Sequence, residues 1–248
     1  MKKNFMLPFF AMFIALSTAG ISYSQDTRKD FSPQPDERQL PKAMHSAMKE
    51  LPYIAVGKDN AHIIGNDNRA LQAAVDYIAG LGGGVVFIKQ GEYIMYDSLH
   101  LRSNVTVRGN KGKTILRKAS GAVSALAIDG DFGEKQITLK NPMDFKVGHG
   151  VAIWDDRSGG FHTTVARITG RNNNTFSIDK PLMADCMISN KAKAATVFPV
   201  VSGYHIEGAR VENLIIDGNK GDNVHLNGCR GAGIFLYRAF GTVIKDCV

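Results

Sequence analysis

A chain of 248 residues that is 44% hydrophobic and 21% charged can bury a sizeable core, and this composition excludes disorder throughout. Three cysteines without metal-ligand spacing exclude a disulfide scaffold and a zinc site. The net charge of +7 comes from scattered lysines and arginines with no basic stripe among aromatics, which argues against a nucleic-acid partner.

The first predicted element is a targeting segment. Lys2 and Lys3 precede the apolar run from Phe5 to Leu16, and the small residues Ser22 and Ser24 stand before Gln25. This is the pattern of a secretory signal peptide over residues 1–24, and it predicts a secreted or periplasmic protein. The run is shorter than the roughly 20 apolar residues a membrane helix needs, so no membrane span is expected after cleavage. Cleavage removes two of the 30 basic residues and none of the 23 acidic ones, leaving a net charge of +5. That surplus suits an anionic ligand, although spread over a large surface it mainly serves solubility. Residues 25–60, with Pro33, Pro35, Pro41 and Pro52 around a short helical patch, read as a polar leader docked loosely on the body.

The body opens with a helix. Leu71, Ala74, Val75 and Ile78 fall at i, i+3, i+4 and i+7 and form one apolar stripe, with Asn66 or Asp67 as N-cap and Gly80 followed by Gly82, Gly83 and Gly84 as the stop. Beyond the glycines, VVFI, EYIMY, LHL and NVTV are short β-rich runs broken by Gly91, Asp97-Ser98 and Ser103-Asn104. Strands this short do not hold an isolated hairpin sheet, but they can stack as successive rungs of a coil.

Asp67, Ala70, Leu71, Gln72, Ala74, Val75, Gly82 to Val86, Gly91, Tyr93, Leu99, Leu101 and Ser103 to Gly109 form an order that resembles the start of the pectate lyase-like right-handed parallel β-helix superfamily. The resemblance covers residues 61–118 and 203–248 and leaves out the middle. It departs at Ile88-Lys89-Gln90, which replaces the small or proline-containing segment usual before Gly91 and affects a turn. What it implies is an all-β, right-handed parallel β-helix solenoid whose N-terminal cap helix hides the apolar end and open strand edge of the first rung. It also implies an acidic polysaccharide as ligand, although one fold hosts many functions.

From Glu134 to about Val201 the rhythm changes, and ITLK, FKVGHGVAIWDD, TTVARITG, NTFSID and ATVFPV alternate with period 2. This predicts a small antiparallel β-subdomain inserted at about 131–202 of a β-helix domain spanning 61–248. The coil resumes at Gly203 with Leu214, Ile216, Ile234, Leu236, Val243 and Ile244 as its alternating apolar positions. Val248 follows a rung that carries no cap, so either the chain is truncated at its C-terminus, which is the favoured reading and places the catalytic rungs further on, or another chain covers that edge. Cys229 and Cys247, about one coil turn apart, are expected as a stacked pair of buried thiols, with a disulfide as the alternative.

Three constellations are candidates for chemistry. Gly148-His149-Gly150 with Asp155-Asp156 has the ingredients of polygalacturonases in that superfamily, but there the Asp pair comes first and both motifs lie on late rungs. Neighbouring Asp155 and Asp156 on an extended strand point to opposite faces, whereas acid and base carboxylates must converge to about 5–9.5 Å, so a tight turn is the expected role. The loop from Asp217 to Asn223 offers calcium the oxygens of Asp217, Asn219 and Asp222, as polyuronate lyases of the superfamily use it; the same residue types also make an ordinary turn. His225, Arg230, Arg238 and Lys245 form the third set. Eliminative cleavage of a polyuronate removes the proton at C5 and needs a base and a cation, which makes Arg238, Lys245 and His225 the candidate catalytic residues. Arg230 and Tyr237 are candidate substrate contacts, although alternation separates Tyr237 from Arg238, and a solvated charge is the plain alternative for each cation. Trp154 is either a sugar platform or part of the insertion's core.

Two classes of function stand on this reading. One is an exported carbohydrate-active protein, a polysaccharide lyase or glycoside hydrolase acting on an acidic, uronate-containing polysaccharide. The other is a non-catalytic glycan-binding or adhesion module, or an inactive fragment lacking the catalytic rungs.

Overall fold

The computed structural model describes residues 52–226 and 229–248; the segment expected as signal peptide and most of the expected polar leader lie outside the described residues. The leader's last residues are not loose. Tyr53–Gly57 forms strand β1, buries Ile54, Ala55 and Val56, and pairs in parallel with β2 (Ile63–Ile64).

Helix α1 (Asn68–Gly80) starts where Asp67, in extended conformation, accepts the Arg69 N–H at 2.9 Å. The predicted stripe is the buried one: Leu71, Ala74, Val75 and Ile78 are all fully covered. They pack against β1 and the next strand, β3 (Gly84–Ile88), so the helix closes the end of the main core.

From β3 the chain runs in circuits. The first continues through β4 (Gly91–Met95) and β5 (Leu99–His100). The second begins with β6 (Val105–Arg108) and β7 (Thr114–Lys118) and is interrupted by an insertion. The inserted strands are β8 (Val123–Ala125), β9 (Gln136–Thr138), β10 (Gly150–Trp154), β11 (Thr164–Asn172), β12 (Thr175–Ile178) and β13 (Lys193–Ala195). Strand β14 (Val201–Glu207) then completes the second circuit, β15 (Arg210–Glu212), β16 (Ile215–Asp217) and β17 (Ile234–Phe240) make the third, and β18 (Val243–Lys245) starts another.

Each circuit contributes one strand to each of three parallel sheets, ordered β18-β15-β6-β3-β1-β2, β16-β7-β4 and β17-β14-β5. The registers align like with like. Ile54, Val86, Val107, Val211 and Ile244 form one column across five strands, and the middle three are fully buried while Ile244 at the outer strand is 46% exposed. Each enclosed aliphatic side chain is worth about 1.5–3 kcal/mol, which makes such columns the main glue of the coil. The turn entering the first sheet also repeats: Asn104, Gly208 and Gly241 hold φ of 60°, 65° and 58° at equivalent places. Gly83, one strand earlier, has no room for a side chain, since a Cβ would lie 2.6 Å from the Asn104 carbonyl oxygen.

The insertion is a six-stranded antiparallel sheet, β8-β13-β10-β11-β12-β9, with its own core of Leu126, Leu139, Phe145, Val151, Ile153, Phe176 and neighbours. It begins earlier than its alternation suggested, because β8 is too short to show a period. Its placement between β7 and β14 sets it over the third sheet.

Candidate functional site

Strand alternation builds one wall of a groove. Leu99, Val201 and Ile234 face the core, so their register-following neighbours His100, Ser202 and Phe235 face outward in one column. Two residues on, Arg102, Tyr204 and Tyr237 face the same way, and Tyr204 and Tyr237 are register partners. Tyr204 holds its ring centroid 5.4 Å from Phe235 and 6.2 Å from Tyr237, giving a tilted aromatic patch. The insertion supplies the facing wall through Phe161, Val165, Arg167, Lys180 and Met183, and the loop after β16 adds Arg230. Together they enclose a groove of about 730 Å³.

Its electrostatics are one-sided. Arg167, Lys180 and Arg230 have no carboxylate within ion-pair distance among the described residues. Asp179 is the one acidic residue lining the groove, and its carboxylate accepts the Arg167 backbone N–H at 2.8 Å. Lys180 places Nζ 4.5 Å above the Tyr204 ring. Burial pushes its pKa down, and Arg230 and Arg167 push the same way. Burial likewise raises the pKa of the Tyr204 phenol, which accepts from Arg230 Nη1 at 3.2 Å. Arg230 Nη2 reaches the Phe161 carbonyl at 3.4 Å, its Nε is buried without a partner, and its plane lies 5.2 Å over Phe235.

Of the residues singled out from sequence, Arg230 and Tyr237 come together here. Arg238, His225 and Lys245 do not line this groove: His225 is exposed in the loop between β16 and β17, and Lys245 is exposed on β18 in a different sheet. Arg238 is exposed at a bend of β17 and lays its guanidinium over Tyr237 at 5.4 Å, so the expected separation of these two is corrected. His100, Arg167, Lys180 and Tyr204 were missed. The signal available for His100 and Tyr204 was their even, outward parity, and Arg167 and Lys180 needed the position of the insertion.

Asp217, Asn219 and Asp222 form a hydrogen-bonded turn. Asp217 accepts from the Asn219 N–H and pairs with Arg117 at 2.9 Å, while Asp222 accepts from Ser120 and from the Asn219 amide. Calcium fits this set poorly, because the Arg117 guanidinium already neutralises Asp217; no cluster of three His, Cys, Asp or Glu side chains suited to a metal occurs among the described residues. Asp155 is buried in a turn, receiving N–H bonds from Arg157, Ser158 and Met187, whereas Asp156 is exposed toward Lys191 and Lys193. Trp154 packs beside the small cluster around Ala152 and Val197 under the Lys193 ammonium. All three cysteines are free, with Cys229 exposed and Cys247 half-buried, so the expected pair of buried thiols does not form.

No family model matches the sequence, and no curated protein does. Among solved structures, the chain is similar to the tailspike gp61 of Pseudomonas phage phi297, at 13% identity and a TM-score of 0.30, over 59% of this chain and 30% of that one. It is similar to the Gp54 tailspike of Acinetobacter baumannii bacteriophage AP22, solved with a capsular saccharide, at 16% identity and a TM-score of 0.30, over 73% of this chain and 34% of that one. The tailspike gp49 of Pseudomonas phage LKA1 matches at 17% identity and a TM-score of 0.27, over 72% and 39%. The chain thus spans about a third of each of these proteins, and likeness this distant carries no argument about chemistry.

Proposed function

We propose that this chain is an exported carbohydrate-active protein, a right-handed parallel β-helix that holds an acidic polysaccharide in the groove between its third sheet and the inserted sheet. The observation that carries this reading is the set of three cations without ion-pair partners among the described residues, Arg167, Lys180 and Arg230, beside the aromatic patch of Tyr204, Phe235 and Tyr237. Sugar rings present apolar faces to aromatics, and uronate carboxylates accept bidentate hydrogen bonds from guanidinium groups. The right hand follows from the strong bias of parallel crossover connections.

Of the two cleavage chemistries, elimination is better supported. Hydrolysis needs two carboxylates about 5–9.5 Å apart, and Asp179 is the one carboxylate that lines the groove among the described residues. In elimination, Arg230 and Arg167 would hold the uronate carboxylate and stabilise the enolate-like intermediate, and Lys180, whose ammonium burial makes easier to deprotonate, would take the C5 proton. No metal enters this scheme.

The test is incubation with a panel of polyuronates, following the ultraviolet absorbance of unsaturated products, together with retention on glycan-bearing affinity gels. Retention with product formation lost in Lys180→Ala supports the lyase. Retention without product leaves a binding module, and absence of both in folded protein sinks the reading.

A further inference from the structure

The floor of the groove carries a second constellation that glycan binding does not use. Ser202 of β14 and His100 of β5 are register partners on adjacent strands, and Ser202 Oγ lies 2.9 Å from His100 Nδ1. On the far side of the ring, His100 Nε2 lies 3.0 Å from Oδ2 of Asp97, a residue only 4% exposed. We propose that Asp97, His100 and Ser202 act as a nucleophilic relay that hydrolyses short acyl esters, acetyl esters foremost, entering from the groove.

The chemistry follows from what each atom can do. A buried carboxylate accepts hydrogen bonds only, so Asp97 fixes the imidazole proton on Nε2 and leaves Nδ1 as the acceptor of the Ser202 hydroxyl proton. That is the order of nucleophile, base and orienting acid that activates a serine, recognised by geometry and not by chain position. A merely structural polar cluster would be sealed. Here the His100 side chain keeps 28% exposure and borders the groove. A hollow of about 20 Å³ lies against Asp97, His100 and Ser202 and is also bordered by Arg167 and Lys180. Such a hollow admits about one water-sized group, which suits a carbonyl oxygen or the hydrolytic water and excludes long acyl chains. Ser202 itself is 2% exposed, so the acyl group must come in past Lys180 and Tyr204, which border both spaces.

In the first step Ser202 Oγ bonds to the acyl carbon while its proton passes to His100 Nδ1. The oxyanion develops toward the positive charge of Arg167, which borders the hollow. Collapse breaks the carbon to alkoxide bond, and the departing alcohol takes the proton from Nδ1. Water, deprotonated by the same nitrogen, then releases the carboxylic acid and restores Ser202. The sum is ester and water to acid and alcohol, with no further reactant. The proposal does not rest on the glycan reading.

The test uses the full chain with para-nitrophenyl acetate for turnover and a fluorophosphonate for covalent capture, read by intact mass and peptide mapping. The expected result is turnover of acetate over butyrate esters and a single adduct on Ser202. Ser202→Ala should lose the adduct, and Ser202→Ala, His100→Ala and Asp97→Asn should each lose roughly a hundredfold in rate or more. Ser103→Ala, which removes a hydroxyl that accepts from the Glu207 N–H outside both spaces, should keep the rate. Circular dichroism and thermal midpoints check that each variant folds. Folded wild type without turnover or adduct overturns the proposal, as does full activity in Ser202→Ala. Glycan retention measured on the same samples should survive in Ser202→Ala, so the two readings fail separately.

Discussion

Arg238 holds its guanidinium 5.4 Å over the ring of Tyr237, its immediate neighbour in the chain. Regular alternation would send the two to opposite faces of the sheet. Arg238 instead has a φ of 51°, and so does His205, its counterpart on β14 between the paired positions Tyr204–Tyr237 and Ile206–Ala239. In the second and third circuits this left-handed residue bends the strand and returns Ile206 and Ala239 to the core side.

Because a side chain in that conformation costs roughly 1–2 kcal/mol, His205→Gly should stabilise the fold by up to about 1 kcal/mol after the loss of its contact with Tyr237, and His205→Val should destabilise it. Denaturant midpoints of the two variants would check this, and a stable valine variant would refute the strain.

Groove cations should matter for charged ligands alone. Arg230→Ala is expected to weaken retention of a polyuronate by about 10- to 100-fold and to leave a neutral glycan unaffected. Arg230→Lys should not restore it, since a point charge cannot reproduce the fork that reaches both the Tyr204 hydroxyl and the Phe161 carbonyl. Affinity electrophoresis at two salt concentrations reads both effects, and equal losses for neutral and charged glycans would argue against an anion site.

Lys118 is 3% exposed, faces inward on β7, and has no carboxylate in ion-pair range among the described residues; its ammonium lies 5.6 Å from the Phe198 ring. Burial lowers its pKa. The unfolded chain then binds this proton more tightly than the folded one, so stability rises with pH between the lowered value and the ordinary 10.5. Lys118→Met should flatten that slope and be neutral to stabilising by about 1–3 kcal/mol, as urea titrations across alkaline pH would show. A strongly destabilised methionine variant would mean that the ammonium has a partner.

Asp155 has the same sign of pH dependence for the opposite reason, because here the charged form is the favoured one. Burial is the largest single influence and raises its pKa, but N–H bonds from Met187, Ser158 and Arg157 with the Ser158 hydroxyl outweigh it and hold the carboxyl at about 2. Its contribution is therefore complete above the ordinary value of 3.8 and lost as pH falls from there through about 2. Asp155→Asn should cost about 1–3 kcal/mol at neutral pH and remove that part of the acid limb in thermal unfolding. An unchanged acid limb would place the transition on other carboxylates.

Calcium at millimolar concentration should leave the thermal midpoint unchanged, because a cation in the loop at Asp217 would have to displace Arg117. A rise of several degrees that is lost in Asp217→Asn would assign the loop to calcium instead.

The sequence by itself determined what is local. The stripe of Leu71, Ala74, Val75 and Ile78 named the buried face of α1, and the short apolar alternations around Val86, Val107 and Val211 named the inward column, because both periods follow from backbone geometry. It also located a change of rhythm near the antiparallel insertion. Only the tertiary structure decided the groove. Ser202 meets His100 across 102 residues, Lys180 covers Tyr204, and Arg117 neutralises Asp217 through register and the placement of the insertion. Such pairings are set by long-range packing and leave no periodic trace along the chain, so Lys245 looked as promising as Arg230 until β18 fell in a different sheet, and Arg238, on the groove's own sheet, lies over Tyr237 without lining the groove.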